Sequence, residues 1–263
     1  MQVWGRLLKQ PKPYIAKKWC DYFQSYFNSF ISLNMPQNSP YYKIYDPFYI
    51  AVDCVILGFH NDRICFLAHK RNIEPALGGF TLMGVFVKMD ESLTQAAVRA
   101  LTSLTGLQNI YMEQVGMYSE VDRDPGERVI SCAFFALIDI EAHDEELLKK
   151  HNAFWIDINN ADDLIFDHPQ MVKDAVSILR RKASIDPIGL NFLPEKFTFT
   201  RLQVLYEAIY DRQMDKRNFR KKMMSLDFLE KTTEIDKTSS KKGAFLYQFK
   251  PNGNTSFDPK YNF

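Results

Sequence analysis

The residues whose types and spacing could serve catalysis are Glu91 and Arg99, which lie just before a predicted helix and in the middle of it. Positions 100, 103 and 104 of that helix share one face, because residues three and four apart are neighbours on a helix. They hold Ala100, Ser103 and Leu104, which together offer one hydroxyl oxygen. Hard divalent cations need several oxygen ligands. This face therefore predicts a structural helix, with no catalytic residue, no metal and no cofactor.

The helix has clear start signals of its own. Ser92 can cap it, and Gln95 follows three residues later as in a capping box. Apolar residues then recur at helical spacing, at Leu93, Ala96, Ala97, Leu101 and Leu104. We expect this apolar stripe to pack on a core.

The stretch from Met83 to Leu107, MGVFVKMDESLTQAAVRALTSLTGL, resembles the Nudix box. That signature reads Gly, five residues, Glu, seven residues, then Arg-Glu-apolar-any-Glu-Glu-any-Gly-apolar, and its carboxylates hold the divalent metals that activate water for diphosphate cleavage. The positions that match it in register are Val85 at the first Gly, Glu91, Arg99, Leu101, Gly106 and Leu107. Ala100, Ser103 and Leu104 replace the three helix carboxylates. The resemblance implies a degenerate Nudix domain, and chance likeness in an ordinary amphipathic helix is the alternative.

Upstream of the box the pattern is that of a sheet. FYIAVDCVILGF, a turn at His60 to Asp62 and RICFLAHK predict a hairpin of two buried strands. Asp53 is the one carboxylate in the first strand. A buried acid must be paired or hydrogen-bonded, so Asp53 either anchors a nearby Arg or faces a ligand.

A charged loop, EVDRDPGERV, lies between two further predicted strands, Tyr111 to Tyr118 and Val129 to Ile140. A charged turn is usually only solvated, but loops are also where binding residues concentrate. A sugar-like ligand would need carboxylates, cations and an apolar ring surface. The candidate effector-binding residues are Asp53, Arg71, Lys88, Arg123, Asp124 and Glu127.

The next segments lead to a boundary. AFWIDI predicts a strand, and PQMVKDAVSILRRKA predicts a helix with Pro169 in its first turn. His168, just before it, is expected to be a structural cap or linker contact rather than a ligand. Residues 183–196, ASIDPIGLNFLPEK, predict an apolar, semi-rigid linker.

The C-terminal segment has the order helix, turn, basic helix and basic hairpin, which is typical of a winged helix-turn-helix. In the first helix, Thr200 is a plausible cap for a face formed by Leu202, Leu205 and Ile209. In the second, Phe219, Met223 and Leu226 are predicted to face inward. The candidate DNA-binding residues are Lys216, Arg217, Asn218, Arg220 and Lys221 on that helix and Lys237, Lys241 and Lys242 on the wing. The alternative is a solvated basic helix face.

Composition and charge limit the classes of protein. A chain of 263 residues with 46% hydrophobic and 25% charged residues is typical of a soluble globular protein, here of two domains. Residues 201–250 hold twelve Lys or Arg and seven Asp or Glu, although the whole chain carries only +1. A basic C-terminal part on an acidic body indicates a polyanionic partner.

The N-terminal residues differ from the rest. Residues 1–34 combine basic residues with the aromatic stretch WCDYFQSYFNSFISL, which is too interrupted for a signal peptide. We expect an extension that is poorly ordered, with Met35 as an alternative start, or else an interfacial amphipathic helix. No apolar run is long enough to cross a membrane. Cys20, Cys54, Cys65 and Cys132 show no metal-ligand spacing, which favours buried free thiols in a reducing cytoplasm.

Taken together, the two halves resemble the Nudix-related transcriptional regulators, and most of all their arabinose-responsive AraR-like branch. The segments that carry the likeness, within residues 42–249, are FYIAVDCVILGF, HKRNIEPALGGFTLMGVFVKMDES, VDRDPGERVIS, LIFDHPQMV, ASIDPIGLNFLP and MDKRNFRKKM. The resemblance implies a dimer that binds DNA and releases it when a small metabolite occupies the Nudix domain.

The predicted fold class is α+β, a Nudix fold with a mixed sheet flanked by helices, followed by a winged helix-turn-helix. The predicted parts are an extension at 1–40, an effector-binding domain at 41–182, a linker at 183–196, a DNA-binding domain at 197–250 and a tail at 251–263. The predicted function is that of a cytoplasmic, homodimeric regulator of sugar use. Its predicted partners are operator DNA and a sugar such as arabinose. The alternatives are a Nudix hydrolase of ADP-ribose or a related diphosphate, and an ADP-ribose-sensing regulator of NAD metabolism.

Overall fold

The computed structural model describes residues 45–106, 110–140, 151–184, 186–237 and 243–250. The predictions for the N-terminal extension, Cys20, Leu107, Lys241, Lys242 and the tail lie outside these residues. Among the described residues, no helix is both long and apolar enough to cross a membrane.

Seven of the described strands form one mixed sheet. They are β1 (Tyr49–His60), β2 (Arg63–Lys70), β3 (Phe80–Thr81), β4 (Met83–Phe86), β5 (Tyr111–Tyr118), β6 (Val129–Ile138) and β7 (Ala153–Asp157). The order is β3-β2-β1-β6-β5, with β4 also paired to β1 and β7 to β2. β1 and β6 run parallel, and the remaining pairs are antiparallel. The predicted hairpin of β1 and β2 is confirmed, and its turn residues Asn61 and Asp62 have positive φ.

Two helices cover the two faces of this sheet. Successive side chains of a strand point to opposite faces, so alternate residues of β1 enter different cores. The even-numbered residues from Val52 to Ile56 pack with alanines of α1 (Leu93–Thr105). The odd-numbered residues from Val55 to Phe59 belong to the cluster that includes Met171 and Leu179 of α2 (His168–Ala183).

The C-terminal part has the elements of a winged helix. Helix α3 (Phe199–Tyr210) and helix α4 (Lys216–Ser225) precede the hairpin of β9 (Leu229–Asp236) and β10 (Ala244–Phe249), and β8 (Phe197–Thr198) pairs with β10. The predicted inward face of α3 is confirmed, because Leu202, Leu205 and Ile209 are fully buried.

Two details of the sequence-based prediction are wrong here. The cap of α3 is Thr198, whose hydroxyl accepts from Arg201 N at 3.1 Å, so Thr200 lies inside the helix. Leu226 is 42% exposed rather than inward. Helix α4 ends at Ser225 and the chain turns at Asp227 with φ of 56°, so the helical period stops before Leu226 and Phe228 enters the core instead.

The winged helix packs against the sheet domain through α2 and α3. Arg180 Nε donates to Ile209 O at 2.8 Å, and Tyr210 Oη donates to Arg180 O at 2.9 Å. Ile188 and Phe192, in the segment predicted as a linker, are buried in the same apolar cluster. One continuous core therefore joins helix α2 to the winged helix.

Candidate functional site

What remains of the Nudix-like box is an ion pair that braces a loop. Arg99 Nε donates to Glu91 Oε2 at 2.9 Å, and Arg99 Nη2 donates to Phe86 O at 2.9 Å. Glu91 Oε1 also accepts from Lys88 N at 2.8 Å. The hydrogen bond from Arg99 and that from Lys88 N lower the pKa of Glu91 to about 2. Glu91 and Arg99 thus hold the loop that precedes α1 against this helix.

The first of the positions that would hold a metal in the family pattern is turned into the core. Ala100 is fully buried, and Ser103 Oγ donates to Ala100 O at 2.9 Å. Across the described segments, no three His, Cys, Asp or Glu side chains are grouped so as to hold a metal ion. The predicted capping box is confirmed, because Gln95 N donates to Ser92 Oγ and Ser92 N donates to Gln95 Oε1. Val85, at the first Gly position, is partly buried on β4.

A polar cluster lies on the opposite face of the sheet, under α2. It consists of Asp53, Arg123, Ser131, Asp167 and His168, defined here as the polar cluster. Ser131 Oγ donates to Asp53 Oδ2 at 2.6 Å. Arg123 forms a bidentate salt bridge with Asp167, with two hydrogen bonds of 2.7 Å. Its Nη2 also lies 3.8 Å from Asp53 Oδ2. Asp53 and Arg123 are 7% and 8% exposed, so each charge is paired where water is scarce.

His168 closes the cluster at the first turn of α2. Its Nδ1 accepts from Leu82 N at 3.1 Å, so the proton of the neutral ring lies on Nε2, 3.8 Å from Asp53 Oδ1. Burial lowers the pKa of His168, although Asp53 and Asp167 act in the opposite direction. The imidazole thus ties α2 to Leu82, between β3 and β4, which is a structural contact as predicted for this residue.

Gly84 gives this arrangement its space. It pairs with Asp53 across the strands, and a Cβ at Gly84 would lie 2.2 Å from Asp53 Oδ1. The small residue therefore lets the carboxylate lie flat against β4. This close approach is consistent with Asp53 as an anchor for Arg123.

The other predicted effector residues are placed differently. Arg71 lies beside the cluster, with its guanidinium 5.4 Å from the Phe166 ring centroid and its Nε 2.6 Å from Pro75 O. Asp124 accepts from Gly126 N within its own turn. Lys88 and Glu127 are exposed. The structure thus brings Asp53, Arg123 and Arg71 into one region.

Sequence reasoning did not include Ser131 and Asp167 among the site residues. Each had a local signal: Ser131 is a hydroxyl within the apolar run VISCAFFALI, and Asp167 stands two residues before Pro169. Neither signal identified a partner, because Ser131 lies far along the chain from Asp53 and Asp167 lies far from Arg123.

Helix α4 presents a basic outer face. Phe219 and Met223 are 6% and 1% exposed, and Phe219 packs against the rings of Phe199 and Tyr206. The predicted DNA-binding residues of the helix are exposed, namely Lys216, Arg217, Asn218, Arg220 and Lys221. Asp215 caps the helix by accepting from Asn218 N at 2.8 Å. Lys237, which follows β9, is also exposed.

Arg220 differs from its neighbours on α4. Its guanidinium lies 4.7 Å from the Phe199 ring centroid and donates to Tyr247 Oη. These contacts fix α4 to β10. Arg220 is therefore held in place by the domain itself, whereas the structure records no such contact for Arg217.

Comparisons with known proteins point to one architecture. Residues 189–249 match the family model of the NrtR DNA-binding winged helix domain. The chain is 29% identical over 204 residues to the ADPR-responsive transcriptional repressor NtrR of Acinetobacter baylyi, covering 76% of this chain and 81% of that protein. It is 34% identical over 136 residues to an ADP-ribose pyrophosphatase of Methanocaldococcus jannaschii, covering 51% of this chain and 76% of that protein.

A solved structure matches over both halves. The fold is similar to that of Shewanella oneidensis NrtR in complex with a 27mer DNA, with a TM-score of 0.69 and 26% identity, over 78% of this chain and 94% of that one. The predicted α+β fold, a Nudix fold followed by a winged helix, is thereby confirmed. The relatives are named for ADP-ribose, so they support the ADP-ribose alternative and do not support the arabinose-responsive branch.

Proposed function

We propose that this chain, which belongs to the Nudix family and ends in a winged helix of the NrtR type, is a transcriptional regulator that binds DNA and responds to ADP-ribose. The observation that carries the proposal is the division of α4 into a buried apolar face and an exposed basic face. Arginine and asparagine side chains on such a helix can reach base edges in the major groove, and lysines can pair with phosphates. The relative that is named as ADPR-responsive supports ADP-ribose as the effector.

The Nudix half acts as a sensor in this proposal, without hydrolysis. Water activation in this family pattern needs metal-bound carboxylates, and Ala100 and Ser103 supply none. In this proposal the Nudix half binds the pyrophosphate group of ADP-ribose and does not cleave it. Arg71, beside the polar cluster and stacked on Phe166, is the candidate cation for that ligand.

Helix α2 is the physical link between sensor and reader. Its first turn holds Asp167 and His168 of the polar cluster, and Arg180 near its other end contacts α3. A ligand that shifts α2 would therefore shift the winged helix. Because coupling between two binding sites is reciprocal, ADP-ribose must bind less tightly to the DNA-bound form if it favours release.

The regulator is further proposed to be a cytoplasmic homodimer. Two winged helices related by a twofold axis can contact two half-sites of an operator, and this supports the dimer. Mass measurement in solution at several protein concentrations tests it directly. A monomer at all concentrations would contradict the dimer without affecting the DNA-binding part of the proposal.

The effector is tested by thermal unfolding of the full chain with ADP-ribose and, in parallel, with L-arabinose. A ligand that binds only the native state raises the melting temperature as its concentration rises. We expect a concentration-dependent rise with ADP-ribose and none with arabinose. The reverse result would restore the sugar-responsive reading.

A further inference from the structure

Helix α3 of the winged helix is attached to the sensor domain at its first turn as well as at its last. Arg201 Nη1 donates to Asp62 Oδ1 at 2.6 Å. The Arg201 guanidinium also lies 4.3 Å from the centroid of the Phe59 ring, which is 4% exposed. We define Phe59, Asp62 and Arg201 as the hairpin anchor. It joins α3 to the end of β1 and to the turn that follows this strand.

The second attachment lies at the other end of α3. It consists of the two hydrogen bonds of Arg180, on α2, with Ile209 and Tyr210, and we define it as the α2 anchor. Arg201 and Ile209 are about 12 Å apart along the helix axis, at 1.5 Å per residue. Two attachments at this separation fix the direction of a helix. A helix that is held at one point can pivot about it.

Both anchors lead back to the polar cluster. On β1, Asp53 shares one face with Val55, Leu57 and Phe59, because side chains alternate along a strand. Val55 and Leu57 are fully buried, so packed side chains fill the row from the polar cluster to the hairpin anchor. On α2, the polar cluster is at the first turn and the α2 anchor is near the last. Each of the two elements therefore has one end in the polar cluster and the other end on α3.

An exposed ion pair that serves only the fold is the alternative explanation of the hairpin anchor. The side chains of Arg201 and Asp62 are 36% and 64% exposed, and such pairs contribute little to stability. The geometry of the anchor is nevertheless well defined. The planar guanidinium lies over a buried ring, and Asn61 and Asp62 both have positive φ, as in a tight two-residue hairpin turn. A contact that adds little energy but fixes an orientation is suited to a positioning role.

We propose that the hairpin anchor transmits occupancy of the effector site to the winged helix, with the α2 anchor as the pivot. A displacement of β1 relative to α2 at the polar cluster then becomes a rotation of α3. Arg201 is a positioning residue in this role, because its guanidinium is held by the sensor domain. The inference rests on the proposed function and adds a second connection to the one through α2.

The test measures the coupling between the two sites in the full chain. Affinity for a duplex selected by that chain from a randomised pool is determined without ADP-ribose and at saturating ADP-ribose, and the ratio of the two affinities measures the coupling. We expect Arg201→Met to lower this ratio about fivefold. The affinity for ADP-ribose without DNA should remain that of the wild type, because the polar cluster and Arg71 are unchanged. A merely structural ion pair would leave the ratio as it is.

Two further variants sharpen the test. Asp62→Gly removes the carboxylate and leaves Asn-Gly, a preferred sequence for this turn, so it should lower the ratio as Arg201→Met does. The double variant should lower it no further, because both changes break one contact. Arg63→Met is the matched control and should keep the wild-type ratio. It removes a cation from the same hairpin, but its ion pair with Asp157 lies within the sensor sheet.

The outcomes separate the inference from the proposed function. If the wild-type chain selects no duplex or has a ratio of one, the proposed function falls and the inference falls with it. If the wild type is coupled and a folded anchor variant keeps its ratio, only the inference is overturned. An equal loss of coupling in Arg63→Met also overturns it, because the loss would then follow from the removed charge. Melting curves show which variants are folded, and one folded anchor variant is enough for the decision.

Discussion

Helices α1 and α4 are both amphipathic, but they differ in which side chains they leave exposed to solvent. In α1, the positions that would bear metal ligands in the family pattern include Ala100, which is fully buried, and Arg99 forms an ion pair with Glu91. In α4, Phe219 and Met223 take the buried positions and leave basic side chains exposed.

The difference shows what helical spacing can and cannot establish. Spacing identifies which residues share a face. Whether that face can do chemistry depends on its residue types and on whether it meets solvent. The α1 face lacks both carboxylates and exposure at Ala100, whereas the α4 face has cations and solvent. In the proposed function, α4 therefore contacts DNA and the sheet face under α2 belongs to the sensor.

The largest effect on stability is expected when a carboxylate is restored to α1. Ala100→Glu would place an ionisable side chain in a fully packed position, and we expect it to lower the free energy of unfolding by about 5 kcal/mol, through overpacking and an unpaired buried charge. It should not create ADP-ribose hydrolysis with Mg²⁺. Urea unfolding and a turnover assay measure the two effects.

The matched control for this variant is Val98→Glu. Val98 is on the same helix but 46% exposed, so its replacement should change stability little. Saturable hydrolysis by a stably folded Ala100→Glu variant would contradict the structural assignment of α1.

The next largest effect is expected in the polar cluster. Arg123→Met removes the cation that Asp53 faces and leaves a buried carboxylate without it, so we expect a loss of about 3 kcal/mol in the free energy of unfolding. Arg63→Met is the control, because it breaks an ion pair to Asp157 whose arginine side chain is 70% exposed. Exposed pairs contribute about 0 to 1 kcal/mol. Equal losses in the two variants would show that Arg123 is not an internal anchor.

On α4, the expected effect concerns binding rather than folding. Arg217→Ala should cost about 1 to 3 kcal/mol on the selected duplex if the side chain makes a bidentate base contact, and it should relax preference at one base position. Its melting temperature should remain that of the wild type, since Arg217 is exposed. Phe219→Ala should do the reverse and lower stability first. Competition binding against single-base variants of the duplex distinguishes the two.

The parts of the fold that follow from local rules could be predicted from the sequence. The Asn61–Asp62 turn, the Ser92 capping box and the inward position of Phe219 depend on neighbouring residues, and each prediction is confirmed. Leu226 was misplaced because a helix period cannot show where the helix ends.

The polar cluster required the fold itself. Asp53, Arg123 and Asp167 come from β1, a loop and the start of α2, and no local pattern connects them. Sequence reasoning selected Asp53 and Arg123 as residue types able to bind a ligand. Only the sheet register and the packing of α2 place them against each other.

The smallest effect is a dependence of stability on pH from His168. Burial lowers its pKa, so the unfolded chain takes up a proton at a higher pH than the folded chain does. Stability should therefore fall as the pH decreases through about 6.5, the ordinary histidine pKa. His69, whose pKa is also lowered by burial, acts in the same direction. Urea unfolding at pH 7.5 and 5.5 should show a smaller pH effect in His168→Gln; an unchanged one would exclude His168 as a source.

The central claim is that ADP-ribose controls DNA binding without being consumed. The direct measurement is a titration of ADP-ribose into the complex of the full chain with its selected duplex, in Mg²⁺, followed by fluorescence anisotropy and by analysis of the nucleotide afterwards. We predict saturable release of the DNA, with ADP-ribose recovered intact. DNA binding that does not change with ADP-ribose, or conversion of ADP-ribose to AMP and ribose 5-phosphate above a protein-free blank, would contradict the account.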